Sequence, residues 1–210
     1  MGPAAFYAAG PVCVRRGVTP DSGLDTRVTS GIVGRRLQED IMTRALIIVE
    51  SCFGNTRAIA GAVAAGLIEG GVEAQVVDVD GAPSTLPADL ALLVLGAPTH
   101  NRGLPTAATR AKACAQAGQG DASLGIGEWL ETATIPVSTD VVAFDTVISK
   151  GWLSGSAAKA IAKALRRHQG RETTSVRSFV VAASKGPLAA GQETDAHSWG
   201  RELADSVSSR

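Results

Sequence analysis

The chain has 210 residues, with 20 Lys and Arg against 20 Asp and Glu, 45% hydrophobic content and only 4% aromatic residues. That length suits one α/β domain with or without a tail. The zero formal charge argues against a nucleic-acid module, whose basic excess is its electrostatic footprint, and the apolar content argues against disorder. No apolar run approaches the roughly 18 residues that a membrane span needs, so no membrane partner is expected.

Residues 1–41 mix Gly, Pro, Ser and Arg without periodicity and lack the early basic region of a secretory signal. They read either as a disordered extension or as sequence upstream of a true start at Met42. The second is favoured, because Met42 stands where a first strand wants its N-terminus. The domain is therefore expected to occupy residues 42–210. Cys13, Cys52 and Cys114 are odd in number and widely spaced. They suggest neither a zinc site nor a disulfide framework, and a reducing cytoplasm is the simpler expectation.

From Met42 onward apolar runs alternate with amphipathic stretches. Ala45–Val49 is a short continuous apolar run, the mark of a strand covered on both faces. Residues 55–69 place Ile59, Val63 and Leu67 on one helical stripe, and Gly70-Gly71 ends it. Ala74–Val79 and Leu90–Leu95 are the second and third strands, followed by an alanine-rich helix near 107–117. A glycine-rich passage, 118–127, leads to Glu128-Trp129-Leu130. Val141–Phe144 is the fourth strand, Ser156 caps a helix running to about Leu165, and Ser178–Ala182 is the fifth strand. A last helix over 193–207 turns Ala196, Trp199, Leu203 and Val207 inward; Trp129 and Trp199 read as structural. Five such strands with intervening helices imply a parallel sheet covered on both faces. Ligands of such sheets bind outside the carboxyl ends of the strands, which directs attention to the loops after Val49, Leu95 and Phe144.

The first of these loops reads Glu50-Ser-Cys-Phe-Gly-Asn-Thr-Arg57. Gly54 permits a tight turn, and the unpaired amides of the following helix, with the Ser51 and Thr56 hydroxyls, make a nest for a dianion. Ordinary capping by Ser, Asn and Thr is the competing reading. There is no G-x-x-x-x-G-K-[ST] and no G-x-G-x-x-G after the first strand, which argues against Walker-type hydrolysis and a Rossmann dinucleotide site. The third strand ends in Leu95-Gly-Ala-Pro98 with no acceptor Asp, which argues against a phosphorylation receiver.

Ser51-Cys-Phe-Gly-Asn-Thr56 resembles the [ST]-x-[ST]-G-x-T phosphate loop of flavodoxins, and Gly96-Ala-Pro-Thr-His100 resembles the second flavin loop of flavodoxin-like proteins. The resemblance continues through Ala143-Phe-Asp-Thr146, Gly155-Ser-Ala-Ala158 and Lys185-Gly-Pro-Leu188 to Trp199-Gly200, covering residues 43 to about 207. It implies a flavodoxin-like three-layer α/β/α sandwich with a five-stranded parallel sheet in the order 2-1-3-4-5, and flavin mononucleotide (FMN) as cofactor.

By that resemblance Ser51, Cys52, Phe53, Gly54, Asn55 and Thr56 would hold the flavin phosphate. Phe53 replaces the family's usual hydroxyl, removing a hydrogen bond to a charged acceptor worth about 1.5–3 kcal/mol. Phe53 would pack either on the ribityl chain or into the core. Cys52 is either a small filler or a thiol activated by the helix N-terminus. Pro98, Thr99, His100, Asn101 and Gly103 would approach the isoalloxazine ring, Gly103 through a carbonyl near N5. His100 would stack on the ring or stand exposed. Asp145 and Thr146 would meet the pyrimidine edge, and Trp152 would give a second stacking face or plug the core. The implied function is FMN-based electron transfer, with a redox partner protein or a small-molecule acceptor. The alternatives are an FMN-dependent NAD(P)H:quinone-type reductase and a flavin-free binding module. Subtracting the tail leaves 16 acidic and 15 basic residues, so electrostatic steering toward a basic partner would be weak. No group is assigned a catalytic or metal-binding role.

Overall fold

A computed structural model describes residues 44–120, 124–149 and 155–209. The expectations for the tail, for a start at Met42 and for Trp152 fall outside these residues. In chain order the elements are β1 (Arg44–Val49), α1 (Asn55–Glu69), β2 (Glu73–Asp78), a 3₁₀ turn (Val79–Gly81), β3 (Leu90–Pro98) and α2 (Ala107–Gln116). There follow α3 (Ile126–Thr132), β4 (Asp140–Val147), α4 (Ala157–Gln169), β5 (Ser175–Val180) and α5 (Gln192–Ser208). The strands form one parallel sheet in the order β2-β1-β3-β4-β5.

Both faces are covered, which is why β1, β3 and β4 are continuously apolar rather than alternating. On one face Leu46, Ile48, Leu93, Leu95, Val141 and Ala143 pack with Ile126, Trp129 and Leu130 of α3 and Ile161 and Leu165 of α4. On the other, Ile47, Val49, Leu92, Val94, Val142 and Phe144 pack with Ile59, Val63 and Leu67 of α1 and Trp199 and Leu203 of α5. Both structural tryptophans are buried: the Trp129 indole N–H donates to the Pro83 carbonyl at 3.2 Å. Trp199 stands edge-on to Phe144, ring centroids 6.3 Å apart.

α1 and α5 approach closely because glycines meet at their crossing. A Cβ on Gly66 would lie 2.1 Å from the His197 carbonyl oxygen, and one on Gly200 would lie 2.2 Å from that of Val63. Ser156 caps α4 as its sequence suggests, accepting the Lys159 amide at 3.1 Å. α3 had no helical signal of its own, since Gly125 and Gly127 bracket its start. It is fixed instead by the burial of Ile126, Trp129 and Leu130 and by the Glu50 carboxylate, which accepts the Ile126 amide at 3.0 Å. β5 begins three residues before the expected Ser178, at Ser175. Its N-terminal half is only partly buried and lacks the continuous apolar run that marks a central strand.

The cysteine expectation is corrected. Cys52 and Cys114 form a disulfide, Cα atoms 4.8 Å apart across a sequence separation of 62. The fold brings the loop after β1 against α2, a proximity that linear spacing does not encode. The cysteine-based argument for a reducing cytoplasm therefore falls. Among the described residues, no helix is long and apolar enough to cross a membrane.

Candidate functional site

A cleft of about 430 Å³ opens at the carboxyl end of the sheet, within the roughly 300–1,000 Å³ typical of small-molecule sites. Its floor is the turn from β1 into α1. Gly54 occupies the N-cap position with φ 85°, left-handed backbone that favours glycine, and a Cβ there would meet no protein atom within 4 Å. No side chain caps α1 in the ordinary way, and its first turn holds no acidic residue. Ser51 Oγ instead accepts the Arg57 amide at 3.3 Å. The first turn of α1 therefore begins beside the cleft with no side chain at its N-cap position, between Ser51, Asn55 and Thr56, which line it.

Neighbouring loops pin this turn. The Asn55 side-chain amide donates to the Lys185 carbonyl at 3.1 Å, joining it to the loop after β5. The hydroxyls of buried Thr56 and Thr146 lie 3.0 Å apart, joining it to the end of β4. Both threonines line the cleft.

The loop after β3 forms a second wall. His100 and Gly103 exchange both backbone hydrogen bonds, at 3.0 and 2.9 Å, around Asn101 (φ 47°) and Arg102 (φ 71°). Positive φ at both central positions is the signature of a type I′ turn. Gly155 packs against this turn, where a Cβ would lie 2.3 Å from the Arg102 backbone. Pro98, Thr99, His100 and Asn101 line the cleft, and the Gly103 carbonyl accepts the His100 amide. Burial, and then the nearby Arg110 charge, lower the His100 pKa from 6.5, so the imidazole is neutral at neutral pH.

Asp145 is buried beneath this wall. One carboxylate oxygen accepts the Thr99 hydroxyl at 3.0 Å and the Ala158 amide at 3.1 Å, while the Ala157 amide donates to Thr99 Oγ1 at 2.9 Å. Thr99 and Asp145 thus hold the N-terminus of α4 against the second loop. Its other oxygen is buried without a hydrogen-bond partner. Of the residues singled out in the sequence, Ser51, Cys52, Phe53, Asn55, Thr56, Pro98, Thr99, His100, Asn101 and Thr146 converge on the cleft. Gly54 starts the helix beside Asn55 and Thr56 but does not itself line the cleft, nor do Gly103 and Asp145.

The third wall is α2, which the motifs did not mark. Thr109, Lys112, Ala113 and Gln116 face the cleft, and Lys185 adds a second ammonium group from the loop after β5. Phe53 is half-buried, lines the cleft and packs on Cys52, Ala113 and Cys114. Beneath α2 lies an ionic cluster. Arg110, 1% exposed, sits 3.6 Å from Glu50 and donates to Glu128 at 3.0 Å. Glu50 is 3% exposed, and burial, against the lowering effects of the Ile126 amide and Arg110, raises its pKa to about 7. One guanidinium serves two carboxylates. Desolvation raises the pKa of both carboxyls. In the more exposed Glu128 Arg110 outweighs it and lowers the pKa, whereas in buried Glu50 desolvation wins, so Glu50 is the more readily protonated of the two. The only sequence hint of this arrangement was the spacing of Arg110 and Cys114, four apart and so on one helical face.

The family described as Flavodoxin matches residues 47–199. Solved structures with the same fold include a flavodoxin from the domain Archaea, 18% identical, covering 79% of this chain and 99% of that one with a TM-score of 0.50. Flavodoxin 1 from Bacillus cereus is 17% identical, with 78% and 98% covered and a TM-score of 0.52. The flavodiiron protein from Giardia intestinalis is 17% identical with a TM-score of 0.53, and 79% of this chain matches 36% of it. No curated protein sequence matches this chain.

Proposed function

This chain belongs to the flavodoxin family, and from that premise we propose that its cleft binds FMN and that the protein transfers electrons to or from a redox partner. The observation that carries the reading is the turn into α1. It has a left-handed glycine at the N-cap, which offers no capping side chain, and hydroxyl and amide side chains around it. A helix start with glycine at the N-cap suits a phosphate dianion. Lys112 and Lys185 add positive charge on the same cleft. Their charge would offset the hydroxyl that Phe53 replaces.

Bound FMN would supply one- and two-electron chemistry. Ser51, Asn55, Thr56 and the first amides of α1 would hold the phosphate. Pro98, Thr99, His100, Asn101 and Thr146 would bound the rest of the cofactor, and neutral His100 would add no charge beside it. Phe53, packed against α2, would shield the middle of the cleft from water.

The visible spectrum of freshly purified protein tests this. Protein from a flavin-replete host, or reconstituted with FMN, should show a bound-flavin band near 450 nm, about where flavins in general absorb. Protein that stays colourless after incubation with excess FMN would overturn the reading. Oxidation of NAD(P)H by a quinone with this protein alone would shift the assignment to a reductase.

A further inference from the structure

α2 forms a wall of the cleft, yet it has little apolar surface with which to hold itself there. Its buried residues are Arg110, Ala113 and Cys114. The first belongs to the ionic cluster with Glu50 and Glu128, and the last to the disulfide with Cys52. A surface helix usually docks through an apolar stripe of three to four residues per two turns, which α2 lacks. Its attachment is instead one covalent bond, one buried ion cluster and one alanine. The covalent bond ends at Cys52, between Ser51 and Phe53 in the turn assigned to the phosphate. The bond therefore joins the floor of the cleft directly to the wall that carries Thr109, Lys112 and Gln116.

The geometry points to a thiol–disulfide switch on ligand retention, in which the Cys52–Cys114 bond latches α2 against the anion-binding turn and its reduction releases that wall. The ligand named, FMN, rests on the function proposed above; the latch itself does not. The step is a two-electron exchange with a dithiol. The S–S bond breaks, the two thiol hydrogens of the dithiol end on the sulfurs of Cys52 and Cys114, and the dithiol closes to its own disulfide. Both cysteines are nearly buried, so an external dithiol reaches the bond more readily when α2 lifts. Ligand in the cleft holds α2 down and protects the bond, whereas in an empty cleft α2 lifts more often. Reduction then leaves α2 held without a covalent link. Lys112 is no longer held at a fixed distance from Ser51 and Thr56, and the pocket for Phe53 loosens with it.

The test uses full-length protein in a Cys13→Ser background, oxidised or treated with dithiothreitol, together with Cys114→Ser. FMN affinity is measured by fluorescence titration and backbone hydrogen exchange of residues 107–116 by mass spectrometry. Reduction and Cys114→Ser should each weaken FMN binding by about tenfold or more, the scale of one lost charge-assisted contact. Both should speed exchange in 107–116 while leaving that of β1 and β3 unchanged. Reoxidation should restore the parent but not Cys114→Ser, and saturating FMN should slow the reduction. Equal affinity and equal exchange in the oxidised and reduced forms would overturn the switch, as would free thiols at Cys52 and Cys114 in air-oxidised protein. If no form binds FMN, the functional reading fails while the exchange comparison still decides the latch. Chemical reduction of the folded parent keeps the result decisive should Cys114→Ser not fold.

Discussion

Raising the pH through neutrality should weaken the fold by way of Glu50. In the folded chain this carboxyl releases its proton near pH 7, against an ordinary value of 4.5. Between those values the folded state binds more protons than the unfolded state, so stability falls as pH rises from about 4.5 and levels off above about 7. At 1.36 kcal/mol per pKa unit the full effect is about 3 kcal/mol, of which about 2 kcal/mol lies between about pH 5.5 and about pH 8.5. Glu50 is almost fully buried, so solvent screening reduces this little. Glu128 acts with the opposite sign at lower pH, since its lowered pKa contributes stability that is lost only on acidification. Urea denaturation of the oxidised protein at the two pH values, compared with Glu50→Gln, isolates the Glu50 contribution. A glutamine Oε1 can still accept the Ile126 amide and it carries no titrating proton. The parent should lose about 2 kcal/mol relative to the variant on going to the higher pH. Parallel stability changes in the two proteins would refute the claim that Glu50 is the protonated member of the cluster.

Other expectations rest on separate features. Gly200→Ala should cost about 1–3 kcal/mol, because its Cβ would stand 2.2 Å from the Val63 carbonyl oxygen and force α1 and α5 apart; thermal melting of the oxidised protein measures it. Lys112→Gln and Lys185→Gln should each weaken FMN binding about threefold to tenfold and flatten its dependence on salt, since both ammonium groups line the cleft. An unchanged salt dependence would place those groups away from the phosphate. Gly54→Val should weaken FMN binding at a stability cost of about 1–2 kcal/mol, because a left-handed non-glycine residue would strain the turn that sets the first amides of α1. Unchanged binding would move the phosphate elsewhere.

Elements whose determinants are local were legible in the sequence. The apolar runs of β1, β3 and β4 follow from two-sided burial, and the Ile59-Val63-Leu67 stripe and Ser156 cap follow from helical spacing and unpaired amides. The cleft residues contributed by the turns after β1 and β3 were legible for the same reason, since turn chemistry is written in adjacent residues. What escaped depends on partners distant in the chain. Arg110 in an alanine-rich helix looks like a solvated charge until the fold sets Glu50 and Glu128 beside it. Cys52 and Cys114 look unrelated until α2 folds over the first loop. Asp145 looked like a ligand for the cofactor's edge. One of its carboxylate oxygens bonds Thr99 and the Ala158 amide, a partnership that only the approach of α4 reveals.

The claim on which the functional account turns is that the start of α1 is a seat for a phosphate dianion, and comparing FMN with riboflavin, the same molecule without the phosphate, tests it most directly. Calorimetric titration of the oxidised protein should give one site with FMN bound about a hundredfold or more tighter than riboflavin, the scale of two charge-assisted hydrogen bonds. Equal affinity for the two, or binding of neither, would contradict it.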